Sequence, residues 1–237
     1  MTNRSKRYLE AARQIDKEKS YDPQEAIELA KKIATTKFDE TVELHLFTGS
    51  DSRQSDQVVR GVAVLPHGTG KAVRVLVFAQ GEAAHIAQEA GADHIGDDGV
   101  IQRIEQGWLE FDVSIATPDL MSKIGRLGRI LGRRGLMPNP KTGTVVTPED
   151  LPRAIKEVKG GRVEFRMDRT ALIHVPIGKA SFDSKALLEN LLVVIDNIVR
   201  SKPSGVKGQF LRSASLATTM GPSIKLDLSR TLSLKVE

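Results

Sequence analysis

The chain has 237 residues, 40% of them hydrophobic and 27% charged, enough to bury one or two cores. It contains no cysteine, which excludes a disulfide scaffold and thiolate metal sites and fits a reducing compartment. The net charge is +5, yet residues 1–67 and 68–160 are each balanced, while 161–237 hold 12 Lys and Arg against 7 Asp and Glu. A basic excess confined to the last third points to a polyanionic partner there, a soluble basic surface being the alternative. The polar, basic start is followed by no apolar core of signal-peptide length, and no run approaches the ~20 apolar residues of a membrane span. The expected location is cytoplasmic.

The first nineteen residues carry six basic and three acidic side chains with little periodicity, and are expected to form a tail or short helix ordered mainly by a partner. Asp22-Pro23 opens a helix, with Asp as cap and Pro at the first helical position. Ala26, Ile27, Ala30, Ile33 and Ala34 then recur at helical spacing through Thr36. Thr41 to Phe47 alternates as a strand, with Val42, Leu44 and Leu46 on one face. Phe38 falls on the loop between, where an aromatic beside Lys37 either packs on a sugar or base or plugs the local core. A second strand spans Gly61 to Leu65, and Pro66-His-Gly-Thr-Gly70 breaks it.

After this break the pattern changes. Val73, Val75, Val77 and Phe78 read as a buried strand, Glu82 to Ala90 as a helix, and Ile95 as a short strand. Val100 to Gln106 reads as a helix, Phe111 to Ala116 as a strand, and Pro118 to Leu131 and Pro148 to Lys159 as helices. Strands alternating with helices imply parallel pairing in a small Rossmann-like three-layer unit. Beyond Gly160-Gly161 come strands at Arg162 to Arg166 and Ala171 to Pro176, then an amphipathic helix from Asp183 to Arg200. The expected class is therefore α/β: an α+β domain split into 1–67 and 160–237, with the Rossmann-like unit 68–159 inserted between glycine-rich hinges.

The last strand, Phe210 to Leu216, ends in Thr218-Thr-Met-Gly-Pro222. This turn offers hydroxyls, a flexible thioether at Met220, and at Gly221 a place where backbone can approach a partner. No nucleophile with an adjacent base is present. The inventory suits a ribose-lined RNA surface, against the plainer reading of an ordinary strand end.

Other motifs exclude more than they assign. From Leu120 to Thr147 there is no acidic residue, while Lys123, Arg126, Arg129, Arg133, Arg134 and Lys141 share the stretch with several glycines. Each glycine inside a helix costs roughly 1 kcal/mol against alanine, which calls for close backbone packing or an approach to phosphates. Neither a Walker pattern nor a strand, Gly-x-Gly-x-x-Gly, helix order is met. His45, His67, His85, His94 and His174 show no metal-ligand spacing, and there is no Gly-x-Ser-x-Gly elbow. No catalytic residue, metal or cofactor is expected; a nucleotide-dependent enzyme using the inserted unit is the alternative.

Ten blocks, taken together and in order, carry a resemblance. They are Lys37-Phe-Asp-Glu-Thr41, Ser55-Asp-Gln57 with Arg60-Gly61, Leu65-Pro-His-Gly68, Gly91-Ala-Asp93, Ala116-Thr-Pro-Asp119, Leu127-Gly-Arg-Ile-Leu-Gly132, Gly135-Leu-Met-Pro-Asn-Pro-Lys141, Gly143-Thr-Val145, Gly178-Lys-Ala-Ser-Phe182 and Thr218-Thr-Met-Gly-Pro222. Over nearly its whole length the chain resembles the bacterial L-one family of large-subunit ribosomal proteins, found at the mobile stalk beside the exit site. It departs from the family at Arg133, where proline is usual, and in an extension from about Asp227.

The resemblance implies a split domain carrying the main ribosomal-RNA site and a stalk that assists release of exit-site transfer RNA. It also implies repression of the operon messenger RNA, by a chain that is monomeric off the ribosome. Carried over residue by residue, the RNA contacts are Lys37, Phe38 and Thr41 on the first segment and Ser213, Thr219, Met220 and Gly221 on the second.

Overall fold

The computed structural model describes residues 4–234. The chain divides into two compact units, Met1–Gly70 with Gly161–Glu237, and Lys71–Gly160.

The first unit begins with α1 (Lys6–Arg13) and α2 (Pro23–Ile33), then β1 (Thr41–Thr48) and β2 (Arg60–Val64). Asp22 caps α2 by accepting from the Gln24 amide, and the buried positions Ala26, Ile27, Ala30 and Ile33 form one stripe. The helix stops at Ile33, three residues short of the expected Thr36, as Ala34 leaves helical geometry. From Arg4 onward the N-terminal segment is packed on its own unit, while the first three positions of the expected tail lie outside the described residues. Ser5 caps α1, Ala11 and Ile15 are buried in the main core, and the Asp16 amide donates to the Tyr21 hydroxyl at 2.8 Å. Two buried apolar side chains four residues apart are too few to show as periodicity among so many charges.

The second unit holds β3 (Val75–Phe78), α3 (Glu82–Glu89), β4 (His94–Ile95), α4 (Asp98–Glu105), β5 (Val113–Ala116), α5 (Met121–Ile124), α6 (Gly128–Arg133) and α7 (Leu151–Lys159). The strands form a parallel sheet in the order β4-β3-β5. Val75 and Val77 pack with Ala83, Ala87, Ile155 and Val158 of α3 and α7. Leu76 and Phe78 pack on the other face with Ile101, Ile104, Ile124 and Leu131 of α4, α5 and α6. Burial on both faces is why β3 reads as an unbroken apolar run, and the two helical layers make the unit three-layered. The helix expected over Pro118 to Leu131 is interrupted: 3-10 turns occupy Pro118–Leu120 and Gly125–Leu127. Gly125 and Gly128 lie where the geometry changes, as their low helix propensity allows.

The chain returns to the first unit as β6 (Arg162–Arg166), β7 (Leu172–Lys179), α8 (Ser184–Arg200), β8 (Leu211–Thr218), β9 (Ile224–Leu226) and α9 (Leu228–Ser233). Four strands form an antiparallel sheet in the order β7-β1-β8-β9, and β2 pairs with β6 as a separate ribbon. One sheet face, with Val42, Leu44, Leu46, Ile173, Val175 and Leu216, packs on α2 and on Leu187, Leu191, Val194 and Ile198 of α8. The alternate residues Thr41, Glu43, His45 and Phe47 lie half-buried on the other face. From Asp227 to Leu234 the extension is structured, since Asp227 caps α9 and Thr231 is buried, and its last three positions lie outside the described residues.

The two passages of chain between the units touch. Gly161 has φ 109°, and a Cβ there would lie 2.3 Å from the Gly68 Cα, so only glycine fits. Asn190, fully buried on α8, clamps the first passage: its Oδ1 accepts from the His67 amide at 3.1 Å and its Nδ2 donates to the Gly68 carbonyl at 3.0 Å.

Candidate nucleic-acid interface

Antiparallel pairing of β1 with β8 sets Val42 opposite Thr218, which brings the Lys37-to-Thr41 loop against the Thr218-to-Pro222 turn. The Thr41 amide donates to Thr219 Oγ1 at 3.0 Å, and the Thr219 amide donates to the Thr41 carbonyl at 3.0 Å. Lys179, at the end of β7, donates to Thr41 Oγ1 at 2.9 Å. Thr41, Thr219, Met220 and Gly221 thus share one site with Lys37 and Phe38 on the adjoining loop.

Glu40 is the inward anchor of this site. It is only 1% exposed, and its Oε2 accepts from the Met220 amide at 2.9 Å. Burial pushes its carboxyl up, but the Met220 N–H and the nearby Thr218 and Thr36 groups outweigh this and hold it below the ordinary range. The Met220 amide is the main one of these, because Glu40 Oε1 and Thr218 Oγ1 are buried without a hydrogen bond of full geometry. The carboxylate therefore stays ionised and keeps the turn backbone fixed. From the other side Arg7 of α1 donates to the Met220 carbonyl at 3.1 Å. Asp39 accepts from the Ser181 amide and hydroxyl at 3.1 and 2.7 Å, tying the loop to the end of β7.

With its backbone held, the site turns two apolar side chains to solvent: Phe38 is 54% exposed and Met220 50%. Phe38 does not plug the core, which removes one of the two readings of that loop. Lys37 is exposed beside it. Two features differ from expectation. The Thr219 hydroxyl is already engaged, accepting from Thr41 N–H and reaching the Thr41 carbonyl at 3.3 Å, so it shapes the turn as well as facing outward. At Gly221 an added Cβ would meet Thr218 Oγ1 at 2.3 Å, so the glycine is required by the turn's own packing.

Ser213 does not join this cluster. It pairs with Phe47, six strand residues and therefore roughly 20 Å from Thr219. It is exposed on the same face of the sheet, where Arg212 lies 5.7 Å from the Phe47 ring and His45 meets His174 at 2.7 Å between Nδ1 atoms. Between Ser213 and the turn this face carries the half-buried Glu43, His45 and Ser215 together with the apolar Phe47 and Ala217.

Sequence reasoning missed Glu40, Arg7 and Lys179. Glu40 and Lys179 lie inside two of the ten blocks, but nothing local marks them as supports of a turn elsewhere in the chain. Arg7 carried no signal at all.

In the second unit, a crevice of about 360 Å³ opens at the carboxyl ends of β3 and β5, where open parallel sheets bind ligands. Glu82 and Asp119 line it, and its one lysine, Lys123, donates to Asp98 at 3.3 Å. That balance of charge disfavours a phosphate, and no glycine-rich phosphate loop borders it. Among the described residues no group of three or more His, Asp or Glu is placed to hold a metal, and no helix is long and apolar enough to cross a membrane.

Residues 30–222 match the Ribosomal protein L1p/L10e family. The chain belongs to that family. It is 59% identical over 228 residues to the large ribosomal subunit protein uL1 of Dehalococcoides mccartyi, covering 96% of each chain. To the uL1 proteins of Thermomicrobium roseum and Thermobifida fusca it is 58% identical over 233 residues and 56% over 228, covering 98% and 96% of this chain and 97% and 96% of theirs. Both the family and the mixed helix–strand architecture agree with the reading of the ten blocks, and membership in a ribosomal protein family weighs against the enzymatic alternative.

Proposed function

We propose that the chain is a constituent of the large ribosomal subunit, in the cytoplasm, that binds ribosomal RNA through the loop–turn site and the adjoining sheet face. The observation that carries this reading is Phe38 and Met220 standing half exposed on backbone that Glu40, Arg7, Thr41 and Thr219 lock in place. An exposed aromatic stacks on a base or ribose, the thioether lies along ribose carbons, and the hydroxyls exchange hydrogen bonds with 2′-hydroxyls. Prior fixing of the backbone reduces the ordering cost of binding. Lys37, Phe38, Thr41, Thr219, Met220 and Gly221 form the centre of the contact and Ser213 its far end.

The family resemblance supports two further roles: assisting release of exit-site transfer RNA, and repressing the operon messenger RNA through the same surface. A surface shared by two RNAs binds one at a time. The test is competition: ribosomal RNA recovered from large subunits should displace the operon leader from the protein, and Met220→Ala should weaken both by the same factor. Simultaneous binding of the two RNAs would contradict the shared surface.

A further inference from the structure

The chain carries no cysteine, so thioethers are the only sulfur that an oxidant can reach. The methionines among the described residues differ in how far they admit one. Met167 is buried at 4% exposure, with the Thr48 hydroxyl 3.3 Å from its sulfur. Met121 and Met137 are half-buried against the core of the second unit. Met220 alone of these is exposed, at 50%, on the turn between β8 and β9. Its backbone is held without help from its side chain: the amide donates to Glu40 Oε2 at 2.9 Å, the carbonyl accepts from Arg7 at 3.1 Å, and the following Gly221 amide donates to the Thr218 carbonyl at 3.1 Å. A change in the chemistry of the thioether therefore leaves the turn in place and acts on whatever the side chain meets.

We propose that Met220 is a reversible oxidation site: a hydroperoxide converts its thioether to the sulfoxide, which lowers the affinity of the loop–turn site for RNA, and a thiol-dependent reductase restores both. The proposal rests on the loop–turn reading of RNA binding. In the forward step a sulfur lone pair takes the terminal oxygen of hydrogen peroxide or an organic hydroperoxide. The O–O bond breaks and an S–O bond forms; the sulfur is oxidised, and the peroxide is reduced to water or an alcohol. In the reverse step a dithiol takes the oxygen off as water and becomes a disulfide. The sulfoxide sets a polar oxygen where an apolar contact stood, and against ribose carbons that oxygen loses its water without gaining a donor. Bound RNA covers the sulfur, so the free chain is the form that reacts.

The test treats the full chain, free or saturated with ribosomal RNA, with hydrogen peroxide and locates the sulfoxides by peptide mass spectrometry. Met220 should oxidise several-fold faster than Met121 and Met137 in the free protein, and RNA should slow it. Protein converted at Met220 should bind ribosomal RNA roughly ten-fold more weakly with an unchanged Tm. Affinity should return on treatment with a dithiol and the pair of methionine sulfoxide reductases, one for each epimer. Met220→Leu keeps every other methionine; its affinity, whatever the value before peroxide, should be the same after. Any of four results overturns the proposal: oxidation of Met220 no faster than that of Met121 and Met137, parental affinity after full conversion, a loss that only follows a fall in Tm, or an equal loss in treated Met220→Leu. Untreated Phe38→Ala separates the two claims. Weaker binding there beside parental affinity in the oxidised protein removes the oxidation site and leaves the loop–turn reading standing, whereas parental binding in both refutes that reading as well.

Discussion

Replacing Phe38 by alanine should weaken RNA binding strongly while leaving the fold intact. The ring is 54% exposed, and a phenylalanine side chain presents roughly 150–250 Å², so about 80–130 Å² remains for a partner to cover. At about 25 cal/mol per Å² its burial contributes about 2–3 kcal/mol, or roughly 30- to 150-fold in Kd. Stability should hardly move. The ring lies outside the buried core, and the bond from Thr36 Oγ1 to the Phe38 carbonyl, at 2.9 Å, survives the substitution. A change within about 0.5 kcal/mol shifts Tm by no more than about 2 °C in a unit of this size. Fluorescence anisotropy with ribosomal RNA and calorimetric unfolding read the two quantities on one preparation. Parental affinity, or a loss of affinity that only follows a fall in Tm, would refute the assignment of Phe38 to the interface.

Thr219→Val removes the acceptor of the Thr41 amide and should cost about 0.5–1.5 kcal/mol of stability in addition to affinity; unchanged thermal unfolding would show that water replaces the hydroxyl fully. A chain lacking 69–160, with Gly68 joined to Gly161 through one glycine, should unfold cooperatively and keep its affinity for ribosomal RNA, because the two residues already touch; a non-cooperative transition would contradict this. His45 is held below 6.5 by burial and by His174, against the smaller opposing pull of Glu43, and Asp168 lies 3.8 Å beyond His174. The unfolded chain therefore takes up a proton more readily, so the stability is full above 6.5 and is lost as pH falls through the folded value. His174→Gln should flatten that decline in Tm, and a profile identical to the parent's would sink the coupling.

What the sequence displayed was local. Asp22-Pro23 states where α2 begins, the alternation of Val42, Leu44 and Leu46 states which face of β1 is buried, and the unbroken run at Val75 to Phe78 states a strand covered on both sides. Phe38 and the Thr-Thr-Met-Gly turn could be singled out by residue type alone. Their meeting could not, because it depends on β1 and β8 pairing across about 175 residues, a register that no local pattern encodes. The partners of the turn are hidden for the same reason. Glu40 reads as one more charge in an acidic loop, and only burial beneath Met220 makes it an anchor. Neither β9 nor α9 is visible in the sequence, because three strand residues and six helical ones are too short to show a period; the bond from the Tyr21 amide to the Lys225 carbonyl, at 2.9 Å, holds the first of them in place. The glycine-rich helix reads as continuous, since a periodic Ile124, Leu127 and Leu131 stripe survives the 3-10 turn between its halves.

The central claim, that RNA lies on the loop–turn site, can be tested without removing any supporting bond. Because the chain has no cysteine, Met220→Cys offers one attachment point for a short photoreactive group, and Val199→Cys, at the far end of α8 and 39% exposed, offers the control. Irradiation of each labelled protein bound to ribosomal RNA should give an RNA adduct in high yield from position 220 and little from position 199. Equal yields from the two positions, or an adduct from 199 alone, would contradict the account.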